Sequence, residues 1–301
     1  MISEIQSDID QTEAETAIYE FANFNIRANA IDFIEFHIID RIEALIQQAG
    51  MNDELFNLKI RANRIKEKLE FIDTEMFRQL KQQISISKDK GFVFRKIIDD
   101  FFSSSLLSDV EHPDAIGYNN LDILINRLLS TGTVPEAKRD LEPEMVFYQK
   151  TPARIIFELS KKISRDDIFF DIGSGAGQVV ILVNLISSAK AIGIEFEPAY
   201  CNYAKDVASD LDLVNVQFIN EHAKNIDYSK GSVFFLYTPF YGQMLREVFA
   251  LLQKHSFNKM IRIFTYGPCS IEIAEQNWLQ CINGKADDVY KLYEFNSLLN
   301  K

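Results

Sequence analysis

The chain has 301 residues, of which 47% are apolar, 25% are charged and 12% are aromatic. This composition excludes a wholly disordered chain, a collagen-like repeat and a coiled-coil rod, and the length suffices for one large or two modest domains. The 44 acidic and 32 basic side chains give a formal net charge of −12, which disfavours general binding to a phosphate backbone.

Cysteine usage and the first residues of the chain bear on its location. The three cysteines form no C-x-x-C pair and leave an odd thiol, which suits a reducing compartment. Residues 1–8 lack the basic and apolar regions of a signal peptide, and no apolar run reaches the roughly 20 residues of a membrane helix. We therefore expect a soluble cytoplasmic protein that binds no membrane. No His/Cys cluster has metal-ligand spacing, so no metal is expected.

The chain from about residue 12 to residue 130 has the apolar periodicity of helices. Apolar residues three or four positions apart form two stripes, the second beginning after a helix stop at Gly50. These stripes are Ile31, Ile34, Ile38, Ile42 and Leu45, and then Leu55, Leu58, Ala62, Ile65, Leu69, Ile72, Met76 and Leu80. Shorter helices are expected near 92–107 and 119–130. Core packing explains the stripes best, and a partner-binding coiled coil is the alternative.

A loop with Gly132, Pro135 and Pro143 among scattered charges separates this region from the rest. We therefore predict a helical N-terminal domain over 1–140 and a second domain over 141–301. Strand-like segments in the second domain alternate with helix-length ones, which indicates a doubly wound, mostly parallel α/β sheet. The expected strands are 168–172, 191–195, 214–219, 233–237, 260–265 and 289–295.

A glycine-rich turn is the most informative segment. The apolar strand that contains Asp171 leads into glycines at alternate positions, and an apolar helix follows from Gln178. Glycine permits positive φ and close approach of a ligand to the backbone, while the helix start offers unpaired N–H groups. The turn itself consists of Gly173, Ser174, Gly175, Ala176 and Gly177. A nucleotide-type ligand is expected there.

Two ligand classes fit such a turn. The nicotinamide fingerprint G-x-G-x-x-G needs a third glycine where this chain has Gln178. The Asp171 carboxylate, two residues before the first glycine, would repel a pyrophosphate but attract the ammonium group of S-adenosylmethionine. Glu195 ends the next expected strand, 18 residues beyond Gly177, where a carboxylate can accept hydrogen bonds from both ribose hydroxyls. The pattern therefore favours S-adenosylmethionine as the cofactor.

These motifs resemble those of class I S-adenosylmethionine-dependent methyltransferases. Within that group, the turn ending in Gln178-Val-Val is similar to the non-SET histone-lysine methyltransferases of the disruptor-of-telomeric-silencing family. Tyr148-Gln-Lys-Thr151 is similar to the family's Tyr-Gly-Glu-Thr cofactor loop. The resemblance covers about 145–242 and implies a seven-stranded Rossmann-like sheet.

The resemblance also implies roles for individual residues. Tyr148 and Thr151 would flank the methionine moiety, Gln178 would line its pocket, and Glu195, followed by Phe196, would take the ribose. Gln149 and Lys150 depart from the loop motif, and Thr151 has a second interpretation as the cap of the following helix. Near the adenine the family has an acid after the third strand, whereas this chain has Glu221 and His222.

The end of the fourth expected strand is the predicted catalytic segment. Tyr237 leads into Thr238-Pro-Phe240-Tyr241-Gly, and ligands of open α/β sheets bind beyond the carboxyl ends of strands. The segment resembles the Asn/Asp-Pro-Pro-Tyr/Phe of amino-directed nucleic-acid methyltransferases and the Asn-Asn-Phe-x-Phe-Gly of the lysine enzymes, without the Asn. We predict Phe240 and Tyr241 as walls of an acceptor channel, and Tyr237 or Thr238 as the group that orients the nucleophile.

We therefore predict an S-adenosylmethionine-dependent N-methyltransferase that methylates a protein lysine by direct in-line transfer. The first 150 residues carry 27 acidic and 17 basic side chains, and this acidity would attract a basic protein substrate, although it also serves solubility. A nucleic-acid amino methyltransferase is the first alternative, although the charge disfavours tight binding of nucleic acid. A non-catalytic module that binds the cofactor and recruits a partner is the second.

Overall fold

The computed structural model describes residues 1–102 and 119–298. These form two compact units, Met1–Gln83 with the described part of Lys96–Leu106, and Ile84–Arg95 with the described part of 107–301. The division differs from the predicted boundary at residue 140, because residues 120–128 belong to the second unit. In the described part of the chain no helix has the length and apolar character needed to cross a membrane.

The first unit is helical. Residues of both predicted stripes are buried in its core, as the core interpretation predicted. The buried stripe residues include Ile34, Ile38, Ile42, Leu55, Leu58, Ala62, Ile65 and Leu69, and Ile5 and Ile9 of the first helix pack with them. A π-helical segment, Phe33–Ile39, continues the second helix into the third, which ends before Gly50 at a φ of +81°. The helices of this part of the chain are α1 (Ile2–Ala14), α2 (Phe24–Asp32), α3 (Asp40–Ala49), α4 (Asp53–Ile86) and α5 (Lys90–Phe101). The part of the expected helix 92–107 beyond residue 102 lies outside the described residues.

A buried ion pair between Arg27 and Asp73 connects α2 to α4 inside the first unit. The Arg27 guanidinium is fully buried, and its Nε donates to Asp73 Oδ1 at 2.5 Å while Nη1 donates to the Glu20 carbonyl at 2.7 Å. A buried guanidinium is tolerated only when its donors find such partners. The pair therefore fixes how α2 lies on α4.

The second unit contains a seven-stranded sheet in the order β3-β2-β1-β4-β5-β7-β6, and among these described strands β7 runs in the direction opposite to the other six. This confirms the predicted doubly wound, Rossmann-like sheet. The chain builds outward from β1 through β2 to β3 and then returns to β4 beside β1, so the switch point lies between β1 and β4. The strands are β1 (Ile168–Ile172), β2 (Lys190–Glu195), β3 (Val216–Asn220), β4 (Val233–Tyr237), β5 (Arg262–Tyr266), β6 (Leu279–Cys281) and β7 (Tyr293–Ser297).

Helices cover the sheet because its central strands are apolar on both faces. The burial of every residue of β4 except Tyr237 illustrates why such a strand needs cover on both sides. The helices of this unit are α6 (Asn120–Leu128), α7 (Ala153–Ser160), α8 (Gln178–Ser187), α9 (Pro198–Asp210), α10 (Gly242–Ser256) and α11 (Cys269–Ala274). The carboxyl ends of β1, β4 and β5 thus face the loops that lead into α8, α10 and α11.

Helix α6 is joined to α7 by one buried carboxylate. Asp122 closes a capping box with Asn119 at the start of α6, and its Oδ1 accepts a hydrogen bond from the Ala153 N–H at 2.7 Å. Thr151 makes no cap bond to α7, whose N-cap position is Pro152. The capping interpretation of Thr151 is therefore wrong, since Asp122 binds the free N–H at that helix start.

Candidate functional site

At the glycine turn between β1 and α8, neighbouring side chains lie so close to the backbone that only glycine fits. Gly173 and Gly175 have φ values of +86° and +51°, and a Cβ at these positions would lie 2.4 Å from the Pro239 side chain and 2.2 Å from the Tyr148 ring. A Cβ at Gly177 would lie 2.6 Å from side chains of α9 and β3. Gly177 thus packs against the protein, while the exposed Gly173 and the buried Gly175 both line the cavity at this turn.

Two carboxylates, those of Asp171 and Glu195, lie at the ends of the neighbouring strands β1 and β2 beside this turn. Asp171 is buried in β1, opposite Gly193 of β2, and no described residue donates a hydrogen bond to its carboxylate. Burial raises the pKa of Asp171 well above its ordinary value, and the nearby Glu195 carboxylate raises it further. A buried carboxylate without a donor favours a cationic ligand that restores its charged form.

Glu195, at the end of β2, is partly satisfied by backbone. Its Oε2 accepts from the Gly175 N–H and its Oε1 from the Glu197 N–H, both at 2.7 Å. Burial raises the pKa of Glu195, and these two hydrogen bonds oppose that shift. Each oxygen keeps a further lone pair, so the carboxylate can still accept a hydrogen bond from a ligand hydroxyl.

These residues surround one cavity of about 1110 Å³ at the carboxyl ends of the strands. It collects all but one of the predicted site residues, namely Tyr148, Thr151, Asp171, Gly173, Ser174, Gly175, Gln178, Glu195, Phe196, Glu221, His222, Tyr237, Thr238, Phe240 and Tyr241. Gly177 is the exception, because it faces α9 and β3. No group of three or more His, Cys, Asp or Glu side chains in the described ranges is placed to hold a metal ion.

Two further polar atoms in the cavity wall are buried without a partner. Ser174 Oγ and Gln178 Oε1 make no hydrogen bond to any described residue. Both belong to the turn and the first position of α8, where ligand groups can approach the backbone. Together with Asp171 they offer one hydroxyl, one amide oxygen and one carboxylate to a polar ligand.

The loop before α7 closes one side of the cavity with an aromatic ring. Tyr148 lies directly over Gly175, and its ring centroid is 5.1 Å from that of Tyr200 in α9. Thr151, three residues later, is buried and also lines the cavity. The structure thus brings both predicted loop residues to the cavity wall, with Tyr148 against the glycine turn.

On the other side of the cavity, beyond the ends of β2 and β3, Phe196 is the central aromatic residue. The Phe196 ring lies 5.8 Å from the His222 ring, edge to face, and 4.9 Å from the guanidinium carbon of Arg139. His222 Nε2 lies 3.2 Å from Glu142 Oε2. Hydrogen bonds from Asn225 and from the His222 N–H lower the pKa of the exposed Glu221. Such an apolar ring with polar edges suits a flat aromatic ligand group.

The segment after β4 contributes the four predicted catalytic residues in different ways. Phe240 is buried, and Tyr241 is 54% exposed at the cavity edge. Tyr237 donates its hydroxyl to Gln149 Oε1 at 3.2 Å, which connects the β4 end to the Tyr148 loop. The Thr238 hydroxyl donates to the Tyr266 carbonyl and accepts from the Cys269 N–H, each at 3.2 Å. Thr238 therefore binds β5 and α11, which leaves Tyr237 as the more available polar group.

Sequence reasoning missed the strap over the cavity, residues 137–147. Glu144 binds the start of α10, because its carboxylate accepts the N–H groups of Gln243 at 2.9 Å and Met244 at 2.7 Å. These bonds lower the pKa of Glu144. Arg139 donates its N–H to Glu197 Oε2 at 2.8 Å. The two partners in each of these hydrogen bonds are 58 to 100 residues apart in sequence, so no local sequence pattern could predict them.

Comparison with known proteins places the resemblance in the segment that carries this site. Residues 150–238 match the family model described as Histone methylation protein DOT1, which confirms the resemblance predicted from the glycine turn. A stretch of 70 residues is 33% identical to the ribosomal protein L11 methyltransferase of Alkaliphilus oremlandii. That stretch covers 22% of this chain and 22% of the relative.

Two solved structures are similar over about half of the chain. An RNA methyltransferase from Salinibacter ruber, in complex with S-adenosyl-L-homocysteine, is 18% identical and aligns over 51% of this chain and 95% of its own, with a TM-score of 0.41. An rRNA methylase from Streptococcus thermophilus is 14% identical and aligns over 51% of this chain and 100% of its own, with a TM-score of 0.37.

Proposed function

We propose that this chain is an S-adenosylmethionine-dependent N-methyltransferase whose acceptor is a lysine of a basic protein. The observation that carries the proposal is the pair Asp171 and Glu195, at neighbouring strand ends beside a turn without side chains at Gly173 and Gly175. The match of residues 150–238 to a family of histone methylation proteins supports it.

The residues of the cavity fit the cofactor. The Asp171 carboxylate, Ser174 Oγ and Gln178 Oε1 are buried and have no hydrogen-bond partner among the described residues, and they suit the ammonium and carboxylate of a methionine moiety. Glu195 would accept the ribose hydroxyls, and Phe196 would contact the adenine. When bound, S-adenosylmethionine supplies a methyl group on a sulfonium, which is the electrophile of the reaction.

The chain's own part in the reaction is to position and desolvate the acceptor. Tyr237, Phe240 and Tyr241 provide aromatic surface beside the end of β4. A lysine ammonium, with a reference pKa of about 10.4, must first lose its proton to solvent before its nitrogen can attack. The neutral nitrogen then forms the N–C bond with its lone pair as the S–C bond breaks, leaving a methylated ammonium and S-adenosylhomocysteine. Holding the two reactants in line provides most of the acceleration.

The charge of the cavity favours a protein acceptor over nucleic acid. Among the residues that the structure describes, six carboxylates but a single guanidinium, that of Arg139, line it. This arrangement attracts a cationic side chain and repels phosphates. The ribosomal-protein methyltransferase similar to this chain is also named for a protein substrate.

The direct test is an acceptor screen with methyl-labelled S-adenosylmethionine. Basic proteins, RNA and DNA are incubated separately with the chain and with Asp171→Asn. We expect label in the protein fraction, at lysine, and none with the variant. Label confined to nucleic acid would identify the amino-directed alternative. Tight cofactor binding without label in any fraction would indicate a cofactor-binding module.

A further inference from the structure

The part of the cavity beyond β4 has a different chemical character from the part beside the glycine turn. Three tyrosines, Tyr237, Tyr266 and Tyr290, line it, and the rings of Tyr237 and Tyr266 are 4.8 Å apart at an angle of 55°. Burial raises the pKa of Tyr237, and the neighbouring Tyr290 raises it further, so the Tyr237 ring is held as a neutral phenol. A wall of neutral aromatic rings attracts cations to its faces.

One carboxylate lines this part of the cavity, that of Glu272 in α11. Its side chain is partly buried and has no hydrogen bond or ion pair with any described residue. By contrast, Glu195, Glu197 and Glu221 each accept a backbone N–H from their own loop. Glu272 is thus a carboxylate of the cavity wall without a hydrogen bond or ion pair to a described residue, whereas those three carboxylates shape the loops that carry them.

The sheet separates Glu272 from the cofactor-side carboxylates. Strand β4 lies between β1 and β5, and neighbouring strands are about 4.8 Å apart, so the ends of β1 and β5 are separated by roughly 10 Å. Asp171 belongs to β1 and Glu272 to the helix that follows β5. Asp171 and Glu272 are therefore placed to serve different ligand groups within one cavity, whereas Asp140, which also has no hydrogen bond to a described residue, is exposed on the strap.

We infer that Glu272 is a specificity-determining residue that binds the acceptor as an alkylammonium ion, with the three tyrosines around its aliphatic stem. This inference rests on the proposed methyl transfer and defines the acceptor class: a primary amine on a flexible chain. The exocyclic amino group of a nucleobase is uncharged and gains nothing from Glu272. The Glu272 contact contributes to binding of the acceptor and not to the transfer step, because the nitrogen is neutral when it attacks.

A binding experiment with small probes tests this without knowledge of the natural acceptor. The chain is saturated with S-adenosylhomocysteine, and n-butylammonium or the neutral n-butanol is titrated by ligand-observed NMR. We expect butylammonium to bind more tightly than butanol, and Glu272→Gln to weaken butylammonium about fivefold or more with no effect on butanol. Glu275→Gln is the matched control, because Glu275 is exposed near the end of the same helix and does not line the cavity. It should bind both probes like the unmodified chain.

Two outcomes would overturn the inference: equal butylammonium affinity in the unmodified chain and Glu272→Gln, or butanol binding as tightly as butylammonium. Melting temperatures of the two variants identify any loss through misfolding, and Glu272→Asp, which keeps the charge, should retain part of the affinity. S-adenosylhomocysteine binding in the same samples tests the proposed function separately. Its absence contradicts the proposed function, while its presence with an unchanged butylammonium response contradicts the inference alone.

Discussion

Replacement of Gly175 by alanine tests the geometry of the turn against a clear steric limit. A Cβ at Gly175 would lie 2.2 Å from Tyr148 Cε2, whereas ordinary contact begins at 3.4 Å. The Tyr148 ring would therefore have to move by about 1.2 Å. Gly132 offers a matched control, because its φ is also positive, at +137°, and a Cβ there would meet nothing within 4 Å.

The two variants share a backbone cost but differ in their effect on the cavity. A non-glycine residue in a sparsely populated region of positive φ costs on the order of 1–3 kcal/mol, so both melting temperatures should fall by several degrees. Only Gly175→Ala displaces the Tyr148 ring, whose aromatic contacts are worth about 0.5–1.5 kcal/mol. We expect the dissociation constant of S-adenosylmethionine to rise about tenfold in Gly175→Ala and to stay within about twofold in Gly132→Ala.

Calorimetric titration measures both affinities, and differential scanning fluorimetry measures both melting temperatures. The ratio of the two dissociation constants is the informative quantity, since it removes the shared backbone cost. Equal affinities in Gly175→Ala and Gly132→Ala would refute the placement of the Tyr148 ring beside the bound cofactor.

Three stability measurements follow from buried carboxylates. Asp122→Ala removes the acceptor of the Ala153 N–H and should cost about 1–3 kcal/mol in urea unfolding; an unchanged midpoint would show that the α6–α7 connection is unimportant. Asp73→Asn leaves the Arg27 charge buried without its counterion and should cost about 3–5 kcal/mol; a cost below about 1 kcal/mol would contradict the burial of the pair. Asp171 ionises near pH 3.9 when unfolded and at higher pH when folded, so stability falls as pH rises through that interval. Asp171→Asn should therefore raise the melting temperature of the ligand-free protein at pH 7.5, and a lower melting temperature there would contradict the raised pKa.

The cofactor side of the cavity is predictable from sequence because its parts are local. Strand β1, the glycine turn and α8 are consecutive, so one segment encodes both Asp171 and the backbone that faces it. Glu195 follows at the end of the next strand, and parallel pairing of β2 with β1 brings it beside Gly175. The periodic stripes of the first unit are likewise local, and their burial confirms them.

The part of the cavity beyond β4, which we propose takes the acceptor, depends on pairings between distant segments and could not be predicted in this way. Tyr290 reaches the cavity on the loop before β7, where the Gly267 N–H donates to the Val289 carbonyl at 3.1 Å. Glu272 reaches it on a short helix whose start is fixed by the hydroxyl of Thr238. Strand β6 has three residues, too few for a pattern of alternation to show.

Calorimetry of S-adenosylmethionine binding to the unmodified chain and to Asp171→Asn, each from pH 5 to pH 8, tests the central claim most directly. Because burial, together with Glu195, raises the pKa of Asp171 in the ligand-free protein, binding a cation must release its proton. We expect affinity for the unmodified chain to increase with pH, with proton release detected at the acid end from buffers of different ionisation enthalpy. Asp171→Asn should bind weakly and show no such release. Tight binding by Asp171→Asn would contradict the claim that this carboxylate holds the cofactor.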